Sequence, residues 1–102
     1  MAGRLLQLNF KFSVTGAEYE AAVGPLAGEF AALDGLIWKI WMIDEEKGEA
    51  GGIYLFDEEA SVQAYLDGPL AAGVLNHPAL SEFSAKQFDV MDGVTGVTRG
   101  PV

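Results

Sequence analysis

Cysteine is absent from the 102 residues, and disulfides, iron–sulfur ligation and thiol nucleophiles go with it. Histidine occurs once, at His77, too few for a His-rich metal centre. Cations are scarce: 6 lysines and arginines stand against 15 aspartates and glutamates, a net charge of −9. Such a field repels phosphate backbones and anionic headgroups, so neither nucleic acid nor a membrane surface is an expected partner. No apolar run reaches the ~18 residues of a membrane span, and no cationic leader precedes the first strand; a cytoplasmic location is the expectation. The glycines at 48, 51 and 52 do not lead from a strand into a helix as a phosphate-binding loop requires. Ser61, Ser81 and Ser84 lack a nucleophile elbow. Asp57-Glu58-Glu59 has no calcium-loop spacing and reads as a solvated helix start, with Asp57 as N-cap.

What is abundant is apolar surface. Half of the residues are hydrophobic and only 21% charged, the composition of a globule. The length suits one core, hence one domain over residues 1–102.

Residues 4 to 14, RLLQLNFKFSV, alternate with period two, which predicts a strand with Leu6, Leu8, Phe10 and Phe12 on one face and Leu5, Gln7, Asn9 and Lys11 on the other. Residues 17 to 33 carry Tyr19, Val23, Leu26, Phe30 and Leu33 at helical spacing, with a kink or restart predicted at Gly24-Pro25. GLIWKIWMID and GGIYLFD read as two strands joined by the polar EEKGEAGG hairpin. Val62, Tyr65 and Leu66 give the next helix its apolar side before Gly68-Pro69 stops it. Residues 69 to 80 fit a short helix and a turn at His77-Pro78. FSAKQFDVM is a fourth strand, and GVTGVTRGPV is a tail with little core content. The order βαββαβ predicts an α+β, ferredoxin-like fold with a four-stranded antiparallel sheet whose helices cover one face.

GLIWKIW does not alternate apolar and polar residues, so both faces of that strand need cover. An unpaired charge under helices is costly. On that ground Lys39 is assigned to the uncovered face, with Ile37, Trp41 and Ile43; Leu36, Trp38, Ile40 and Met42 then lie beneath the helices. The branched Ile53 and Leu55 are assigned to the helix side, and Tyr54 and Phe56 to the uncovered face. That face would carry Gln7, Asn9, Lys39, Trp41, Tyr54 and Phe56, an apolar patch that needs a second copy of the chain, a ligand, or both.

LLQLNFKF, GLIWKIW, EAGGIYLFDEEASVQAYL and AKQFDV, in that order and spacing, resemble the YdhR mono-oxygenase family from about Leu5 to Val90. That family is similar to the dimeric α+β barrel superfamily, which includes the cofactor-free quinone-forming mono-oxygenases of antibiotic biosynthesis and the haem-degrading mono-oxygenases. The resemblance implies a homodimer whose sheets close into a barrel, a pocket in each half, a small aromatic or polyketide-like substrate and no cofactor. The sequence departs from the family pattern at Asn9, where a histidine is common, and over residues 68–80. The haem-degrading relatives use a strand-one Asn, a strand-three Trp and a helix-borne His. Asn9 meets the first, Phe56 replaces the second, and His77 stands two residues late.

Oxygen insertion without a cofactor requires an electron-rich substrate anion, which a cation or hydrogen-bond donor stabilises. Lys39 is the candidate for that role, with Asn9 and Gln7 orienting oxygens and His77 as the sole imidazole. Trp41, Tyr54 and Phe56 are candidate pocket walls, with Trp38 beside them or in the core. The sequence leaves open a non-catalytic small-molecule-binding or stress-response module, a lyase or isomerase, and a haem-degrading enzyme.

Overall fold

The chain folds around β1 (Arg4–Phe12), whose alternation of apolar and polar residues sets the two faces of the sheet. In the computed structural model, which describes residues 3–102, β1 is followed by α1 (Gly16–Val23). A capping box starts α1: Thr15 Oγ1 accepts the Glu18 amide at 3.1 Å and the Glu18 carboxylate accepts the Thr15 amide at 3.1 Å, so two orphan donors are satisfied reciprocally. Gly24-Pro25 ends it. A 3-10 turn over Gly24–Leu26 bends the chain into α2 (Ala27–Ala31), the restart that the proline predicts.

The hairpin β2 (Leu36–Asp44) and β3 (Glu49–Phe56) comes next. Then α3 (Glu59–Leu66) and α4 (Pro69–Leu75) lead into β4 (Leu80–Asp89). The N-cap of α3 is Glu58, not Asp57; the Asp57 carboxylate instead accepts a hydrogen bond from Ser61 Oγ. The C-terminal segment forms a short α5 (Asp92–Val97) that buries no side chain, which accords with its low core content. Among the described residues no helix is long and apolar enough to cross a membrane.

The four strands form one antiparallel sheet in the order β2-β3-β1-β4, a ferredoxin-like α+β fold. Leu6, Leu8, Phe10 and Phe12 point under the helices and meet Tyr19 of α1, Phe30 of α2, Val62 and Tyr65 of α3 and Ala71 of α4 in one core. Burying the five largest of these rings and chains is worth roughly 1.5–3 kcal/mol each.

Two face assignments made from the sequence are inverted. In β2 the pairing slips between Leu36 and Trp38: Leu36 lies opposite Phe56, and Trp38 already lies opposite Leu55. Ile37 is the extra residue of a β-bulge, and a bulge re-aims every side chain after it. Lys39 and Trp41 therefore face the helices, opposite Tyr54 and Gly52, while Trp38, Ile40 and Met42 face away. In β3 the register Leu6↔Tyr54 and Arg4↔Phe56 turns both aromatics under the helices. There the Tyr54 hydroxyl finds the Tyr65 hydroxyl at 3.2 Å. The branched Leu55 goes to the outer face, where it is buried beside Gly3 and Val90.

The outer face carries Leu5, Gln7 and Asn9 from β1, Trp38, Ile40 and Met42 from β2, Ile53 from β3 and Phe88 from β4. Ile40 and Phe88 are about half exposed, at 51% and 49%.

β1 and β3 approach so closely at Gly51 that a Cβ there would lie 1.9 Å from the Leu8 carbonyl oxygen. Gly51→Ala must part the two central strands, at a cost of about 1–3 kcal/mol or more. Gly24→Ala meets open space and is expected to be neutral or stabilising. Urea unfolding of the two variants measures the contrast.

Candidate active site

Gly52 clears the ground for the site. A Cβ on it would lie 2.9 Å from Lys39 Cε and 3.2 Å from the Tyr54 ring, so the Lys39 stem crosses β3 only because position 52 lacks a side chain. The Lys39 ammonium then sits in a cage of aromatic faces. Its Nζ lies 3.3 Å from the centre of the Trp41 ring, 3.5 Å from that of Phe30 and 4.6 Å from that of Tyr54. Phe30 meets Trp41 edge-on, with centroids 5.2 Å apart. Among the described residues Lys39 has neither an ion pair nor a hydrogen bond to its Nζ.

Two opposed effects act on this amine. Burial disfavours the charged form and lowers the Lys39 pKa from 10.5 to about 7. The negative faces of the rings attract the ammonium and oppose that fall, by up to about 2 kcal/mol when desolvated. Lys39 is thus a group that exchanges its proton near neutrality, enclosed by rings that tolerate either form.

A larger cavity adjoins the small void that Lys39 lines. Its mouth, about 600 Å³, lies between α1, α2 and α4 and is lined by apolar side chains with Glu29 and His77 at the rim. Tyr19, Val23, Leu26, Val74 and Leu80 line both this mouth and a small floor of about 20 Å³. Phe10, Phe30, Lys39, Trp41 and Tyr54 complete the floor. The mouth has the volume and apolar character of a small-molecule site. The floor has room for a group about the size of one water.

A second ring cluster supports the floor. Tyr54 stacks on Phe56 at 6.0 Å and packs on Tyr65 at 5.3 Å. Burial raises the pKa of both Tyr54 and Tyr65, so the hydroxyl pair stays protonated at neutral pH.

The structure brings Lys39, Trp41 and Tyr54 together, with Phe56 packed behind Tyr54, on the helix side of the sheet and not on the uncovered face. Gln7, Asn9 and Trp38 lie on the opposite face. There Gln7 Nε2 donates to Asn9 Oδ1 at 3.0 Å, and Asn9 Nδ2 donates to Glu49 at 3.4 Å. The Trp38 indole donates to the Pro101 carbonyl at 2.7 Å, which ties the C-terminal segment to β2. His77 is exposed at the cavity rim. Its Nδ1 accepts the Ala79 amide at 3.1 Å, and it does not line the floor. Phe30, Tyr65 and Tyr19 belong to the cavity and its support although the sequence reading did not single them out as site residues. Phe30 and Tyr19 stand at helical spacing like any core residue, so no signal separates them.

The fold is that of the ferredoxin-like mono-oxygenases. Residues 5–101 match the family described as "Putative mono-oxygenase ydhR", and the chain belongs to that family. Among solved structures it is similar to SnoaB of Streptomyces nogalater, described as a cofactor-independent oxygenase, with a TM-score of 0.72 at 16% identity over 89% of this chain and 95% of that one. A dimeric ferredoxin-like protein of unknown function from Thermobifida fusca aligns with a TM-score of 0.68 at 24% identity, over 87% and 92%. A protein from Deinococcus radiodurans, described as "a putative antibiotic biosynthesis monooxygenase", aligns with a TM-score of 0.68 at 14% identity, over 85% and 91%. No protein of curated function matches the sequence.

Lys39→Met removes a desolvated amine while keeping an apolar stem. Between pH 7 and 10.5 the unfolded chain holds the Lys39 proton and the folded chain releases it, so wild-type stability rises with pH through that window. The variant is expected to be more stable than wild type at and below pH 7 by about 1–3 kcal/mol. The advantage should fade as pH approaches 10.5. Denaturant unfolding of both proteins across this range reads it.

Proposed function

We propose that the protein is a cofactor-independent mono-oxygenase that oxidises an electron-rich phenol or enol of aromatic or polyketide type in the helix–sheet cavity. The observation that carries this reading is the unpaired Lys39 amine, set among ring faces where an apolar cavity ends. Membership of the YdhR family and the likeness to SnoaB support it.

The neutral Lys39 amine takes the proton of the substrate hydroxyl or enol and becomes an ammonium that pairs with the resulting anion. Stabilising the anion lowers the substrate pKa and raises its electron density. The anion passes one electron to dioxygen, and the two radicals combine to a peroxide. Loss of water leaves a carbonyl where a CH₂ or aromatic C–H stood, so one oxygen atom enters the substrate and the other leaves as water. Trp41, Phe30 and Tyr54 hold the ring system over the amine. Gln7, Asn9 and Trp38 have no part in this chemistry; their place is the outer face.

That outer face serves association. Trp38, Ile40, Met42, Ile53 and Phe88 form an apolar sheet surface on the side away from α1 to α4, with Ile40 and Phe88 about half exposed, the kind of patch that marks an interface. We place a second copy on it, sheet against sheet about a two-fold axis. The description of the Thermobifida fusca relative as dimeric supports association of two copies. Charge composition and the lack of cysteine suit a cytoplasmic protein without nucleic-acid partners.

Oxygen uptake with dihydroxynaphthalenes and anthrones tests the reaction. Turnover should climb with pH to a plateau above about 7 as Lys39 loses its proton, and Lys39→Met should lower kcat/KM by ~10²–10⁴-fold. Binding of these compounds without oxygen uptake would make the protein a carrier rather than an oxygenase. For the dimer, light scattering at micromolar concentration should give twice the chain mass, and Ile40→Asp should reduce it to one chain.

A further inference from the structure

We propose that Lys39 is also a nucleophile: an aldehyde or ketone carried on an apolar or aromatic body enters the cavity and condenses with the Lys39 amine to an imine. The proposal shares the cavity with the oxygenase reading but uses different chemistry, so either can stand without the other.

Two observations carry it. The first is the lack of a partner. A structural lysine in a protein interior is held by a carboxylate or by carbonyl groups. Among the described residues Lys39 Nζ has no ion pair and no hydrogen bond, and the ring faces around it attract a cation yet accept no directed proton. The nitrogen lone pair of the neutral form is therefore not engaged by a donor. The second is access. Lys39 lines the floor of about 20 Å³, which shares Tyr19, Val23, Leu26, Val74 and Leu80 with the neighbouring 600 Å³ cavity. That floor admits a group the size of a carbonyl, while the wider mouth takes the body that bears it.

The step balances without an oxidant. Nζ adds to the carbonyl carbon, and the C–O π pair takes up one of the two protons of the amine, giving a carbinolamine. The nitrogen then loses its remaining hydrogen as the hydroxyl leaves with a proton, so a C=N bond forms and one water departs. Desolvation in apolar surroundings is how lysines are prepared for this reaction. Burial lowers the Lys39 pKa to about 7, so the free amine is far more populated at neutral pH than in a solvated lysine. A solvated lysine near 10.4 has under about a thousandth in that form.

The chain holds its own controls. Lys11, Lys47 and Lys86 are the other lysines, and all lie on the surface or at strand ends. Treating the wild-type protein with 2-naphthaldehyde and cyanoborohydride at pH 7, then mapping peptides by mass, measures each rate in one sample. Lys39 should be alkylated at least about tenfold faster than the other three, and 1-naphthol should slow only the Lys39 reaction by occupying the cavity. Lys39 modified no faster than Lys11, Lys47 and Lys86 would overturn the proposal, as would naphthol slowing all four alike. Oxygen uptake by a protein whose Lys39 resists alkylation would leave the oxygenase reading standing and remove this one. Rapid alkylation without oxygen uptake would do the reverse.

Discussion

One inserted residue decides which chemistry this sheet can do. Without the bulge at Ile37, strict alternation from Leu36 would send Lys39 and Trp41 outward and bury Trp38 and Ile40 under the helices. With it, the register slips between Leu36 and Trp38, and the two sets of side chains exchange faces. The cation arrives beneath Phe30, opposite Tyr54, half-buried on the helix side. The aliphatic Ile40 and Met42 arrive on the face that lacks a roof. A cavity with an amine in it and an apolar surface outside are two results of the same backbone irregularity.

The energetics of Lys39 explain why such a placement survives. An isolated ammonium in an apolar interior would be expelled or neutralised. Here neutralisation is within reach, since burial brings the pKa to about 7. The three ring faces offset part of the remaining cost when the proton is on. A carboxylate partner would have fixed the charged state and pushed the pKa the other way. Aromatic neighbours leave the choice to pH and to whatever ligand enters. Tyr54 contributes on a second count: its hydroxyl is satisfied by Tyr65 rather than by Lys39, so the amine does not hydrogen-bond to the floor.

Much of the fold was legible because β1 alternates so cleanly and because Gly24-Pro25, Asp34-Gly35 and Gly68-Pro69 punctuate the helices. β1 carries a polar residue at 7, 9 and 11, and its faces came out as its pattern required. β2 and β3 do not reveal theirs. Every position of GLIWKIW except the lysine and the glycine is apolar, so a slip of one residue changes nothing in the pattern. Lys39 was the sole marker, and the rule that charges face outward misread it. In β3 the helix-side residues include Ala50 and Gly52, which are small because neighbours approach them, and small residues gave no sign of burial. The bulky Tyr54 and Phe56 fit beneath the helices because of that space. The membership of Lys39, Trp41 and Tyr54 in one cluster was legible; its side of the sheet was not. Gln7 and Asn9 were grouped with them on parity alone, and the bulge separates the two sets.

The two faces are not independent. β3 sits next to the β2 edge with alternate residues committed to opposite tasks: Gly52 and Tyr54 shape the cavity floor, while Ile53 and Leu55 belong to the outer surface. Trp38 and Ile40 bracket Lys39 in the same way on β2, and the Trp38 indole is anchored by the Pro101 carbonyl. Side chains of a strand share one backbone, so fixing the outer set restricts the inner set. Covering the outer face stiffens β2 and β3, and with them the ring faces that hold the amine. The roof is built otherwise. α1 and α2 are 8 and 5 residues long with a 3-10 turn between them, and helices this short owe their stability to packing rather than to propensity. Their packing partner on this side is the cavity lining itself, so the roof is the softer wall and the sheet the firmer one. The proposed reaction sets its substrate between these two walls, with the reacting end at the strands.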